Sequence, residues 1–214
     1  MSSMDTSLES IHASGVIVVL RGLETAVALR TAEVLYAVGI RVVEVTVDSP
    51  GALRTIEALT AELPNDALVG AGTVLDGAAA TAAIQAGARF LFAPNLNAAV
   101  IRTANRYGRL AIPGVMTPTE MMQAAEAGAP AVKLFPANVV GSEFIRQVRA
   151  PLPHIPIIPT GGISEQNVAE FIRAGAFAVG VGAGLLKDDP QNGRYDAVKQ
   201  RALRLVERVA EARA

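Results

Sequence analysis

Short runs of β-branched and apolar residues alternate along the chain with longer alanine-rich stretches that have the periodicity of amphipathic helices. Eight of these short runs predict strands, which we expect at Val16–Arg21, Arg41–Val47, Ala67–Ala71, Arg89–Phe92, Arg109–Ile112, Ala131–Leu134, Pro156–Pro159 and Phe177–Val181. A helix of about ten or more residues follows nearly every run. Because parallel strands need long crossover connections, this alternation predicts parallel pairing.

Eight strand–helix units in 214 residues predict an α/β fold, a single (β/α)8 TIM barrel that occupies residues 1–214 as one domain. An open doubly wound sheet is the alternative. The short, evenly spaced strands and the absence of a G-x-G-x-x-G motif after the first strand favour the barrel. We expect a short N-terminal helix at Thr6–Ala13 and a last amphipathic helix at Tyr195–Ala214.

The composition excludes several classes of function. With 19 basic and 20 acidic residues, the chain lacks the basic excess of a protein that binds nucleic acid. It has no cysteine and two histidines, which rules out disulfides, thiol catalysis and thiolate or three-histidine metal sites. No apolar run reaches the ~18 residues of a membrane span, and the first ten residues lack a basic segment. We therefore expect a cytoplasmic protein with no metal and no membrane or nucleic-acid partner.

The second predicted strand places polar side chains inside the barrel. Side chains alternate between the two faces of a strand, so Val43, Val45 and Val47 share one face. An all-valine face suits packing against helices. The opposite face, which carries Glu44 and Thr46, is therefore expected to point into the barrel.

Three further strands are expected to bring polar groups to the same end, where active sites of such barrels lie. Lys133 faces inward by the same alternation, and Arg21 ends the first strand. Thr73 follows Val69 and Ala71, on the face that we assign to the barrel interior.

Lys133 carries the strongest chemical signal. A lysine inside an apolar strand is strongly desolvated unless it is paired or neutral, and burial near Arg21 would lower its pKa. A neutral buried amine is what Schiff-base chemistry with a ketone needs. Glu44 would then serve as general acid and base. A structural Lys133–Glu44 ion pair is the alternative, and periodicity alone leaves both hypotheses open.

Two glycine-containing loops follow the last two predicted strands. The first holds Thr160, Gly161 and Gly162, and the second holds Gly182 and Ala183. Glycines let backbone N–H groups approach an anion, and the last two loops are the usual phosphate site of such barrels. Tight turns without a ligand are the alternative.

With these positions in place, the sequence resembles the class I aldolases that cleave 2-keto-3-deoxy-6-phosphogluconate, its galactonate epimer or 4-hydroxy-2-oxoglutarate. The similarity extends from Val16 to about Leu186. The matching motifs are Val43-Glu44-Val45-Thr46, Val69-Gly70-Ala71-Gly72-Thr73-Val74-Leu75, Ala93-Pro94-Asn95, Ile112-Pro113-Gly114, Lys133-Leu134-Phe135-Pro136-Ala137 and Pro159-Thr160-Gly161-Gly162-Ile163. Each motif alone is modest, but together and in this order they are specific.

The resemblance implies that Lys133 forms a Schiff base with the C2 keto group and that Glu44 shuttles protons. It implies no cofactor, because the iminium nitrogen is the electron sink, and it implies a homotrimer. The substrate-binding positions that it implies are Arg21, Thr73, Pro94, Phe135, Thr160, Gly161, Gly162, Gly182 and Ala183.

Two positions depart from the family pattern. Many gluconate-type members have an arginine where this chain has Asp48, and Val47-Asp48-Ser49-Pro50 is closer to the galactonate type, in which Arg21 would serve the carboxylate. Thr160, by contrast, resembles the gluconate type. Ala183 stands where many members have a serine near the phosphate, so one hydroxyl contact would be lost.

The sequence therefore predicts a lyase that splits 2-keto-3-deoxy-6-phosphogluconate into pyruvate and D-glyceraldehyde 3-phosphate through a lysine imine. Within the family, the alternatives are the galactonate epimer, 4-hydroxy-2-oxoglutarate or another unphosphorylated 2-keto acid. Outside it, they are a phosphate-binding isomerase or synthase that forms no covalent adduct, and a barrel that binds a sugar phosphate or a protein without catalysis.

Overall fold

The computed structural model describes residues 3–214, in which helices and parallel strands alternate. The strands are β1 Val16–Leu20, β2 Val42–Thr46, β3 Leu68–Gly72, β4 Phe90–Phe92, β5 Leu110–Ile112, β6 Gly114–Val115, β7 Val132–Leu134, β8 Ile157–Pro159 and β9 Val179–Val181. The helices are α1 Ser3–Ser14, α2 Thr25–Ala37, α3 Ala52–Glu62, α4 Gly77–Gln85, α5 Ala98–Arg106, α6 Pro118–Glu126, α7 Ala137–Arg149, α8 Val168–Arg173, α9 Ala183–Leu186 and α10 Tyr195–Arg213. Each predicted strand is present; the third is shifted by one residue toward the C-terminus, and the others are one or two residues shorter.

All strand pairs in the described residues are parallel, which confirms the α/β class with a curled parallel sheet. Six strands pair in the order β5-β4-β3-β2-β1-β9, and three in the order β6-β7-β8. Pro113 alone separates β5 from β6, because proline has no N–H to donate to a neighbouring strand. At the edges formed by β8 and β9, an isolated parallel bridge joins Thr160 to Gly180, and Phe177 N donates to Ile157 O at 2.9 Å.

Two apolar layers follow from the alternation along the strands. The inner layer contains Ile17, Val42 and Phe90, which are fully buried. The outer layer, between strands and helices, contains Val43 and Val45, so the predicted assignment of the valine face is confirmed. In each strand, the residues that alternate with those of the outer layer therefore face the interior enclosed by the strands.

The N-terminal helix α1 covers the amino ends of the strands. Its residue Ile11 is fully buried in the inner layer beside Ile17 and Ala178, which lie near the starts of their strands. The inner layer is thus closed at this end and accessible from the carboxyl ends of the strands. In residues 3–214, none of the helices combines the length and the apolar character needed to cross a bilayer.

Candidate active site

A cavity of about 640 Å³ opens at the carboxyl ends of the strands. All eleven predicted site residues line it, namely Arg21, Glu44, Thr73, Pro94, Lys133, Phe135, Thr160, Gly161, Gly162, Gly182 and Ala183. They come from seven different strand ends and loops, so the sheet brings together residues that lie more than 160 positions apart in the sequence.

Lys133 lies in β7 and is 6% exposed. Its strand neighbours Val132 and Leu134 pack in the outer layer, so Lys133 faces the interior as the alternation predicts. The ammonium nitrogen lies 4.2 Å from the ring centre of Phe92 and 5.0 Å from that of Phe135. Burial lowers the pKa of the Lys133 amine, the positive charge of Arg21 lowers it further, and Glu44 opposes both. These surroundings favour the neutral amine, which is the nucleophilic form.

Glu44 lies in the middle of β2 and is 1% exposed. Gly72 on the adjacent strand makes room for it, because a Cβ there would overlap the carboxylate. Burial raises the pKa of Glu44 to about 7, against the lowering effect of the charges on Lys133 and Arg21. Its Oε2 atom is buried and has no hydrogen-bond partner within residues 3–214, which leaves it available to a substrate or water.

The ion pairs of the described residues do not include one between Lys133 and Glu44. Each group nevertheless influences the pKa of the other through its charge. The absence of an ion pair between them disfavours a purely structural role for the two residues.

Arg21 lies at the mouth of the cavity, where a carboxylate and a hydroxyl hold its guanidinium. One nitrogen donates to Asp48, and Nη2 donates to the Thr73 hydroxyl at 2.8 Å. The loop that carries Asp48 is itself fixed, because Ser49 Oγ bonds with the Thr46 hydroxyl and accepts from Gly22 N, both at 2.8 Å. The guanidinium is therefore positioned before any substrate binds.

Thr73 reaches the cavity by a route that the alternation did not predict. Val69 and Ala71 pack in the outer layer, so the face that we assigned to the barrel interior is the helix-facing one, and that assignment was wrong. Thr73 lines the cavity because its φ of 58° turns the chain out of the extended conformation after β3. A β-branched residue is rare in this region, and the strain is of a kind often found at functional sites.

The loop after β8 brings backbone amides to the cavity. Gly161 and Gly162 have φ values of 97° and 72°, and their N–H groups donate to no other group among the backbone bonds of the described residues. The side-chain amide of Asn167 holds this loop by donating to Gly162 O at 2.8 Å. Thr160 is buried beside Gly180, and its hydroxyl has no hydrogen-bond partner in the part of the chain that the structure describes.

Sequence reasoning missed several residues of the cavity lining. Val19 and Leu23 add apolar surface beside Arg21. Lys187 lies on the rim with Asp188 and Gln191. Its position just after the eighth predicted strand was the available signal, since such loops line the open end of a barrel. In residues 3–214, no group of three or more metal-binding side chains is close enough together to hold an ion.

Comparison with known proteins identifies the family. The family model for KDPG (2-keto-3-deoxy-6-phosphogluconate) and KHG (4-hydroxy-2-oxoglutarate) aldolases matches residues 8–201. A Rhizobium meliloti protein named as a probable 2-dehydro-3-deoxy-6-phosphogalactonate aldolase is 39% identical over 188 residues, 87% of each chain. The 2-dehydro-3-deoxy-6-phosphogalactonate aldolase of Escherichia coli is 36% identical over 80% of this chain and 84% of its own. A 2-dehydro-3-deoxy-phosphogluconate aldolase of Pseudoalteromonas atlantica is 34% identical over 89% and 88%.

Solved structures of the same family superpose on this chain. A structure described as native KDPGal superposes with a TM-score of 0.87 at 33% identity and covers 92% of this chain and 95% of its own. A KDPG aldolase of Legionella pneumophila, with pyruvate captured as a covalent carbinolamine intermediate, has a TM-score of 0.86 at 29% identity. That alignment covers 93% of this chain and 97% of the Legionella chain.

Proposed function

The chain belongs to the KDPG and KHG aldolase family, and we propose that it is a Schiff-base lyase that cleaves a 2-keto-3-deoxy-6-phospho sugar acid. The products would be pyruvate and D-glyceraldehyde 3-phosphate. One observation carries the proposal: a buried amine whose pKa is lowered and a buried carboxyl whose pKa is raised to about 7 line the same cavity. Such a pair is suited to nucleophilic and proton-transfer steps near neutral pH.

The reaction begins when the neutral amine of Lys133 adds to the C2 ketone to give a carbinolamine. Loss of water then gives a protonated imine, and Glu44 supplies the proton for the departing hydroxide. Glu44, now ionised, removes the proton of the C4 hydroxyl. The C3–C4 bond breaks, its electron pair moves to the iminium nitrogen, and the aldehyde leaves.

The enamine that remains on Lys133 takes a proton at C3 from Glu44. Water then adds to the imine and releases pyruvate, which restores the free amine. Atoms and charges balance over the cycle with no external oxidant or cofactor. The free Oε2 of Glu44 is the atom to which we assign these proton transfers.

The remaining cavity residues would bind the two ends of the substrate. We assign the carboxylate at C1 to the guanidinium of Arg21 and the hydroxyl of Thr73, which are already hydrogen-bonded to each other. Pro94 and Phe135 would form the apolar walls beside the reacting carbons. The phosphate would lie against the glycine-containing loops, where backbone N–H groups can approach an anion.

That phosphate site would consist of backbone amides from two loops. Gly161 and Gly162 supply N–H groups that no protein acceptor uses among the described residues. Gly182 and Ala183 line the cavity from the loop after β9. Two loops that converge on one anion are typical of the last strands of a (β/α)8 barrel. The parallel bridge between Thr160 and Gly180 supports closure of such a barrel, as a single domain, in this chain.

The 6-phosphogluconate derivative is our first choice of substrate, because the buried hydroxyl of Thr160 has no partner among residues 3–214 and is available to bind a sugar hydroxyl. The galactonate epimer is the second candidate, favoured by the 39% identity of the Rhizobium meliloti relative, which has a galactonate name. From the family resemblance we also propose a homotrimer, which sedimentation analysis would test.

Borohydride reduction in the presence of pyruvate, followed by intact-mass measurement, tests the mechanism. The wild-type protein is expected to gain the mass of one reduced pyruvate adduct. Lys133→Ala is expected to gain none, and Lys199→Ala, which alters an exposed lysine, serves as the matched control. Absence of the adduct in folded wild-type protein would favour the barrel isomerase or synthase without a covalent intermediate, or a non-catalytic binding protein.

A further inference from the structure

Lys187 is a basic residue of the cavity that the proposed cycle does not use. Of the described residues that line the cavity, Arg21, Lys133 and Lys187 are basic. Arg21 is held by Asp48, and Lys133 is buried at the reacting centre. Lys187 is exposed and lies on the rim, four residues after Ala183.

The ammonium group of Lys187 takes part in none of the ion pairs or side-chain hydrogen bonds that the structure shows for residues 4–214. Asp188 and Gln191 lie on the same rim, and the Asp188 carboxylate is not paired with Lys187. A cation without a protein partner beside a ligand cavity is available to an anionic ligand.

The backbone around Lys187 is fixed in an uncommon conformation. Its φ and ψ are 52° and −142°, a region that residues other than glycine rarely adopt. Arg201 anchors the preceding turn, because its guanidinium donates to Leu185 O at 2.6 Å and Leu186 O at 3.2 Å. The same guanidinium pairs with the buried carboxylate of Asp189 at 2.6 Å. These contacts on both sides hold Lys187 on the rim.

The chemistry of the neighbouring loops explains what this cation would do. Gly161 and Gly162 offer neutral N–H groups, and Ala183 has no hydroxyl. A phosphate monoester that carries about −1.5 to −2 charges at pH 7 would find no positive charge there without Lys187. We propose that the Lys187 ammonium binds the distal phosphate of the substrate and thereby sets the preference for phosphorylated over unphosphorylated aldehydes.

This assignment rests on the proposed aldolase function, and the experiment separates the two. The condensation of pyruvate with D-glyceraldehyde 3-phosphate is compared with its condensation with D-glyceraldehyde, in wild type and in Lys187→Gln. The variant is expected to lose about tenfold in kcat/KM with the phosphorylated aldehyde, through KM. With the unphosphorylated aldehyde the loss should stay below about twofold, because that substrate carries no charge for the ammonium to bind.

Three further variants keep the outcome interpretable. Lys187→Gly removes the ammonium and fits the backbone conformation, so the same selective loss would exclude a backbone effect. Lys187→Arg should restore most of the preference, and Lys199→Gln should behave as wild type. Equal losses with both aldehydes, or no loss, would overturn the assignment. A wild-type protein that forms no borohydride-trapped pyruvate adduct would instead refute the aldolase function itself.

Discussion

Gly72 lies directly against Glu44, so that a Cβ at position 72 would occupy the space of the carboxylate. The two residues belong to paired strands, in which Thr46 stands opposite Gly72 in the parallel register. The bare backbone of β3 is therefore part of the wall that surrounds the Glu44 side chain. Gly72, which has no side chain, thus determines where the Glu44 carboxylate can lie.

Gly72→Ala is expected to displace the Glu44 carboxylate and to lower kcat by about 100-fold, since a shift of about 1 Å in a catalytic group has effects of this size. Overpacking should also lower the free energy of unfolding by about 1–3 kcal/mol. Turnover and urea unfolding measure the two effects. Gly77→Ala is the control, because its added Cβ would meet the Thr103 hydroxyl at 3.2 Å and Ala99 at ordinary contact distance, away from the cavity. Wild-type turnover in Gly72→Ala would contradict the packing argument.

The raised pKa of Glu44 predicts a dependence of stability on pH. Burial raises this pKa to about 7 from the ordinary 4.5, so the folded protein holds the proton more tightly than the unfolded chain does. The resulting stability is fully present below about pH 4.5 and is lost as the pH rises through about 7. The difference between the two pKa values corresponds to about 3 kcal/mol.

Glu44→Gln keeps a neutral group at every pH and therefore isolates this effect. Between pH 4.5 and pH 8, the free energy of unfolding of the wild type should fall by about 3 kcal/mol relative to that of the variant. Urea unfolding at a series of pH values measures the difference. Parallel pH curves for the two proteins would show that Glu44 does not titrate abnormally.

The same ionisation predicts the pH dependence of cleavage. The cycle begins with Glu44 protonated, so that it can donate to the departing hydroxide, and kcat/KM should therefore fall as the pH rises through about 7 and Glu44 loses its proton. Glu44→Gln should lose about 10²- to 10⁴-fold in kcat/KM and should lack this fall. A pH–rate profile of both proteins with the phosphorylated substrate provides the measurement. A fall that persists unchanged in the variant would assign it to another group.

Strand alternation accounts for the parts of the site that were predictable from the sequence. It placed Glu44 and Lys133 toward the interior, because an extended strand turns every second residue to the same face. It failed at Thr73, where a positive φ ends the extended conformation. No residue type near Thr73 in the sequence predicts that change of conformation. Lys187 was missed because its sequence surroundings are those of an ordinary polar loop. Its position becomes apparent only when the loops after β8 and β9 converge.

Thr73 combines strain with binding, and Thr73→Gly separates the two. Glycine adopts a φ of 58° without steric penalty, so the free energy of unfolding should rise by about 1 kcal/mol. The hydroxyl that accepts from Arg21 is lost, so KM for the 2-keto acid should rise by about tenfold. Thr73→Ser keeps the hydroxyl and should retain a KM close to that of the wild type. A Thr73→Gly protein less stable than the wild type would show that the strain at the positive φ is smaller than the cost of the lost hydroxyl and of the freer unfolded chain.

Thr160 gives the test of the proposed choice between the two sugar acid epimers. Its buried hydroxyl has no partner among the described residues, so Thr160→Val removes an unsatisfied polar atom and keeps the shape of the side chain. The free energy of unfolding should therefore be unchanged or rise by about 1 kcal/mol. If the hydroxyl binds a sugar hydroxyl of the gluconate derivative, kcat/KM for that substrate should fall by about tenfold or more, while the galactonate derivative is affected less.

Thr46→Val provides the matched control for this variant. The Thr46 hydroxyl is equally buried but bonds with Ser49 Oγ at 2.8 Å, so its removal should lower the free energy of unfolding by about 1–3 kcal/mol. A Thr160→Val protein that is more stable than the wild type but less active toward one epimer would show that Thr160 serves substrate recognition rather than packing. Equal kcat/KM losses for both epimers would mean that the hydroxyl does not distinguish them, and the choice of gluconate would then lose its support.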